Sequence, residues 1–235
     1  MVVIGVISVM LVMLVPALTS LNGAGSITNA AFTIKGLLEQ ARSHAAINNT
    51  YVWVGFFEED SSQPSTTPAT AGIGRIVMCT VASKDGTIAY KQPVESPAVV
   101  IDTAKLIQVG NLVRIDRVHL RTFPNGTGGG TDTFSARPPI PGGFTENAKI
   151  GDTSPPDSLR PFQYPVRTGT PAQYRFVKLI EFSPRGESRV NNNNFTIRTL
   201  LEVGIQPVRG AAFDEDNRCA IQVSGFAGNV KVYQP

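Results

Sequence analysis

Residues 27–57, ITNAAFTIKGLLEQARSHAAINNTYVWVGFF, change period partway along. Ile27, Ala31, Ile34, Leu38, Ala41 and Ala45 recur at spacings of three and four, with Lys35, Glu39 and Arg42 on other faces. That is the spacing of an amphipathic helix with one side on a core. Asn48-Asn49 ends it, and Thr50–Phe57 is dense in β-branched and aromatic residues, as a strand would be. Gly74–Val81, Thr87–Lys91, Asn111–Thr122, Tyr174–Phe182, Phe195–Val203, Cys219–Ser224 and Asn229–Tyr233 have similar character. A helix followed only by strands disfavours a parallel sheet or a dinucleotide fold. The expected class is α+β: an N-terminal long hydrophobic and amphipathic helix packed through Ile34, Leu38, Ala41 and Ala45 on an antiparallel sheet.

Upstream, Met1–Leu18 reads MVVIGVISVMLVMLVPAL, and the first charged side chain is Lys35. As a helix this run spans about 27 Å, close to the roughly 30 Å hydrocarbon core of a bilayer. Three readings compete: a cleaved secretory signal, a buried core helix and a membrane anchor. A signal should have a basic region before its apolar run, and none precedes it here. A helix apolar on every face needs thick wrapping if it is to be core. The anchor is preferred. Residues 1–25 are therefore read as a membrane-anchor or filament-core helix, in which Val3, Ile4, Ile7, Leu11, Leu14, Pro16 and Leu18 carry the apolar contacts. Residues 26–235 are read as the head, with the helix at 26–49 and strands beyond. Within it, nine of the 17 prolines and eight of the 22 glycines fall between Thr122 and Ala172, which reads as an inserted loop, 122–172.

Composition narrows the chemistry. Of 235 residues, 42% are hydrophobic and 17% charged, so the chain is neither disordered nor polytopic. The net charge of +3 is too small to announce a nucleic-acid binder, and basic residues such as Arg114, Arg117, Arg121, Arg185 and Arg189 are scattered. Two histidines, His44 and His119, leave little for a metal centre. No Gly-x-Ser-x-Gly elbow accompanies them, so no catalytic residue, metal or cofactor is expected. Asp214-Glu215-Asp216 lacks the glycine and terminal glutamate of a calcium loop and reads as a solvated turn. Cys79 and Cys219 lie in strand-like runs; they are either two buried thiols or, in an extracytoplasmic head, a disulfide.

Three stretches together resemble the type IV pilin-like proteins, and within them the minor pseudopilins of type II secretion (GspH) and the FimT minor pilins. Leu14-Val15-Pro16-Ala17-Leu18 looks like the latter part of the pilin N-terminal helix. Leu37 to Ala46, with its Ala41-Arg42-Ser43-His44-Ala45 run before the strand Tyr51-Val52-Trp53-Val54, is similar to the family's helix end. Ile180-Glu181-Phe182-Ser183-Pro184-Arg185-Gly186 and Ile221 to Val232 resemble its closing strands, with Phe182, Pro184 and Gly186 as the family-like turn. The chain lacks the family's basic leader, Gly-Phe cleavage junction and nearby glutamate. Either the gene starts earlier or this copy cannot be processed. The resemblance implies a single-pass protein of the bacterial inner membrane with a periplasmic head. It also implies a structural role, not an enzymatic one, without a small-molecule substrate. The implied partners are other pseudopilins or pilins, the inner membrane and exported proteins. The alternative is a DNA-binding minor pilin for uptake, or an anchored periplasmic domain of another role. The family's DNA binders carry arginines in the C-terminal tail, where this chain has a single lysine, Lys231, so nucleic acid is an unlikely partner.

Overall fold

A computed structural model describes residues 27–87, 100–141, 148–167, 169–191, 197–210 and 212–235. Helix α1 covers 27–47. Ile27, Ala30, Ala31, Ile34, Leu38, Ala41 and Ala45 are buried along one stripe of it, and the four alanines keep that stripe shallow enough for close approach. The helix ends where Asn49 takes a φ of 48° and the Thr50 N–H reaches back to the Ala45 carbonyl at 3.0 Å, satisfying a carbonyl the helix leaves open.

Two six-stranded sheets follow. The first runs β10 (Ser188–Val190), β9 (Lys178–Phe182), β1 (Val52–Asp60), β2 (Gly74–Ser83), β3 (Leu106–Gln108), with β4 (Val113–Asp116) also on β2. The second runs β12 (Ala212–Phe213), β11 (Leu200–Arg209), β13 (Cys219–Ser224), β14 (Val230–Tyr233), with β5 (Val118–Leu120) and β6 (Lys149–Ile150) on β11. A ribbon of β7 (Phe162–Tyr164) and β8 (Tyr174–Phe176) completes the set. Among the described residues the pairings are antiparallel except β6 with β11.

Because side chains alternate along a strand, each sheet has two faces to satisfy. Val52, Val54 and Phe56 of β1, Ile76 and Met78 of β2, and Leu201, Val203 and Ile205 of β11 join the α1 stripe in one core. Trp53, Val77, Cys79 and Leu179 point out of the first sheet's other face and are covered by Phe162, Tyr174 and Phe176 of the ribbon. Gly55 is what admits the ribbon so closely: a Cβ there would stand 2.6 Å from the Phe176 side chain. On the second sheet's outer face Ala220 meets Phe123 and Phe134.

The α+β expectation is thereby corrected. Among the described residues the fold is mainly β, 37% strand against 13% helical, with an α-helix of about 21 residues and several antiparallel sheets where one sheet was expected. The physical reason is that short strands of two to five residues, too brief to give a periodic signal, are completed by pairing with β2 and β11. Asn111–Thr122 is one such case: it is two strands, with Arg117 at φ 62° turning the chain from the first sheet into the second. The 122–172 stretch is no detached loop either, since it supplies β6 and β7 and buries Phe123, Phe134, Ile140 and Ile150. The anchor positions Val3, Ile4, Ile7, Leu11, Leu14, Pro16 and Leu18 lie outside the described residues. Among the described residues no helix is long and apolar enough to cross a membrane.

Candidate functional site

Ile34, Leu38, Ala41 and Ala45, the residues expected to carry helix packing, are each fully buried in the shared core. One turn along the helix surface, Arg42 leaves the core and lies against two tight turns. The first joins β9 to β10: Gly186 donates to the Ser183 carbonyl at 2.8 Å, and Ser183 donates to Glu187 at 2.9 Å. The second joins β13 to β14, where Gly228 donates to Ser224 at 2.7 Å. Gly186 (φ 81°) and Gly228 (φ 64°) both need the left-handed region. A Cβ on Gly228 would run into the Gly186 carbonyl oxygen and stand 2.8 Å from Arg42 Cδ. Phe182, just before the first turn, is fully buried, while Pro184 is half-buried. Helix end, β9–β10 turn and β13–β14 turn therefore form one junction. The outer side of α1 carries Phe32 and Ile47, 56% and 81% exposed, and Gly36, which leaves bare space beside it.

A second constellation sits where β1, β5 and β9 approach the turn after β6. His119 Nδ1 lies 2.8 Å from Glu58 Oε1. Glu58 in turn accepts the Gly74 N–H at 3.1 Å and the Leu120 N–H at 3.3 Å. On the other side, His119 Nε2 is 3.8 Å from Asp152 Oδ2. Burial works to raise the Asp152 carboxyl, but the Thr122 and Thr153 N–H groups and Arg121 outweigh it and hold it below its ordinary value. The Lys178 ammonium is held by the carbonyls of Gly151, Asp152 and Ser154; burial lowers its pKa against the pull of Asp157, Asp152 and Glu58. These groups border a cleft of about 360 Å³ whose other walls are Phe56, Phe57, Ile73, Leu120 and Val177.

Other buried charges clamp neighbouring strands and loops. Arg137 Nε donates to Glu202 Oε2 at 2.9 Å, Gln222 donates to the same oxygen at 2.9 Å, and Arg137 also reaches the Phe134 and Pro124 carbonyls. The Arg137 guanidinium lies 4.0 Å from the Phe134 ring centroid. On the first sheet, Trp53 Nε1 and Arg189 donate to opposite oxygens of Glu181, at 2.8 and 3.2 Å. Burial pushes the Glu181 carboxyl up, opposed by those two donors.

The possible disulfide is corrected: Cys79 and Cys219 are free and buried, the first on the ribbon side of sheet one and the second in the shared core. Burial pushes each thiol up to about 12. His44 pairs with Asn48, one helical turn away, whereas His119 lies between two carboxylates. Sequence reading passed over Glu58 and Asp152, since nothing in their spacing ties them to His119; the β5–β11 and β6–β11 pairings bring His119 and the Asp152 turn together, and Glu58 reaches them from β1 of the other sheet. Asp214 spends its carboxylate on Asp216 and Asn217 within its own turn. Among the described residues no group of three or more His, Cys, Asp or Glu side chains is placed to hold a metal. Comparison with protein-family models, with curated proteins and with solved structures found no match.

Proposed function

We propose that the protein is a structural subunit of a type II secretion-type filament, most like the minor pseudopilins, and that it works by contact and not by catalysis. The observation supporting this is the junction at Arg42. Stretches far apart in the chain, each resembling that family, meet there through two glycines at positive φ, and Gly228 leaves no room for a side chain. The partners are other pseudopilins, with the apolar N-terminal run as the inner-membrane and filament-core segment, the head in the periplasm and exported proteins as further contacts. Phe32 and Ile47 on the outer side of α1 are the surface offered to neighbouring subunits.

The test is co-expression with the pseudopilins of one secretion system and measurement of this chain in sheared filament fractions. Phe32→Glu, at an exposed position, should leave the head folded and lower incorporation at least tenfold. Incorporation of the variant at the native level would remove the reading.

A further inference from the structure

The cleft beside His119 is not explained by assembly. Its walls are almost wholly apolar, and its rim carries Ile73, 44% exposed. Phe213, 40% exposed, has its ring centroid 5.1 Å from that of His119. His119 itself is 4% exposed, so its ring nitrogens must find partners from within. Nδ1 has one in Glu58 at 2.8 Å. A carboxylate that also accepts two backbone N–H groups is an acceptor only, so Nδ1 carries the proton and, in the neutral ring, Nε2 is left as an acceptor. Nε2 makes no hydrogen bond among the described residues; its nearest charged neighbour, Asp152 Oδ2, stands off at 3.8 Å. The other polar groups bordering the cleft are spoken for: Asp152 by Thr122, Thr153 and Arg121, and Lys178 by three carbonyls.

An apolar cleft with one open acceptor selects a ligand that is apolar except for one donor. A cationic amine would bring more donors than the cleft can satisfy, beside Lys178 and Arg121. We infer that this cleft binds a phenolic group: the ring lies against Phe56, Phe57 and Ile73, and the hydroxyl donates to His119 Nε2. The same chemistry can come from a free phenol or from a tyrosine side chain on a polypeptide partner.

The chain has only two histidines, so long-range proton–nitrogen spectra of the full-length protein in mild detergent resolve both imidazoles. p-Cresol should saturate, move the Nε2 resonance of His119 and leave His44 unmoved. Toluene, the same shape without the hydroxyl, should bind about three- to tenfold more weakly, the worth of one neutral hydrogen bond, and leave Nε2 in place. His119→Phe should erase the preference for p-cresol over toluene. Ile73→Asp, at an exposed position that keeps the fold, should weaken both. A tyrosine-bearing peptide that competes with p-cresol, where its phenylalanine counterpart does not, assigns the natural source to a polypeptide; p-cresol binding without such competition assigns it to a free phenol. Absence of saturable p-cresol binding, or equal binding of p-cresol and toluene with His119 Nε2 unmoved, overturns the inference. None of these outcomes depends on filament incorporation, so the two readings fail separately.

Discussion

Replacing Gly228 with alanine tests the junction directly, because the chain contains its own control. Gly228 and Gly210 both sit at positive φ, 64° and 59°, but a Cβ on Gly210 would meet nothing within 4 Å, while one on Gly228 would meet the Gly186 carbonyl and the Arg42 stem. Gly210→Ala therefore measures the backbone cost alone, about 1–2 kcal/mol. Gly228→Ala carries that cost plus the displacement of packed neighbours, a further ~1–3 kcal/mol, for about 2–5 kcal/mol in all. With a urea slope of roughly 2–3 kcal/mol/M, the midpoint should fall by about 1 M or more for Gly228→Ala and by about half as much for Gly210→Ala. The lone tryptophan, Trp53, is fully buried on Glu181 and reports unfolding by its fluorescence. Equal midpoint losses in the two variants would refute the close contact between helix end and turns on which the proposed function leans.

The remaining predictions address the buried groups. Arg137→Met takes from buried Glu202 its guanidinium partner, leaving Gln222 at 2.9 Å and Lys149 at 4.0 Å, and should cost about 3–5 kcal/mol by the same urea assay, whereas replacing Arg137 and Glu202 together with apolar residues should cost less; equal costs would show that the pair is solvated. Asp152 has a folded pKa below its ordinary 3.8, so the folded state binds fewer protons and the stability it contributes is complete above about 3.8 and lost as pH falls through the folded value. Asp152→Asn should accordingly flatten the acid limb of a stability–pH curve and leave the neutral slope unchanged; an unchanged acid limb would contradict the pairing with Thr122, Thr153 and Arg121. Cys79 and Cys219, with thiols pushed up to about 12, should resist alkylation at pH 8 in the native state and both react once urea unfolds the chain, with intact mass counting the adducts; rapid native labelling would refute their burial.

How much of this was legible in the sequence depended on the length of each element. The 3.6-residue period from Ile27 to Ala45 runs for five turns, and the structure seats its apolar positions in the core. Val52–Asp60 and Cys219–Ser224 are long enough to announce themselves by composition. Lys149–Ile150 and Phe162–Tyr164 are not: each is two or three residues among prolines and glycines, and only the partner strand supplies the pairing that makes it a strand. The same limit hid the Glu58–His119–Asp152 array. Contacts between residues about 30 to 60 positions apart follow from sheet register, and register is set by pairings that no local pattern in this chain announces.

Arg117 has a mechanical consequence. Its N–H donates to Gly74 at 2.7 Å in one sheet and its carbonyl accepts from Val208 at 2.9 Å in the other, so a single residue rivets both layers with no slack between β4 and β5. Sliding one layer over the other would have to break those two hydrogen bonds, so relative shear of the sheets is resisted at the backbone as well as by the core between them.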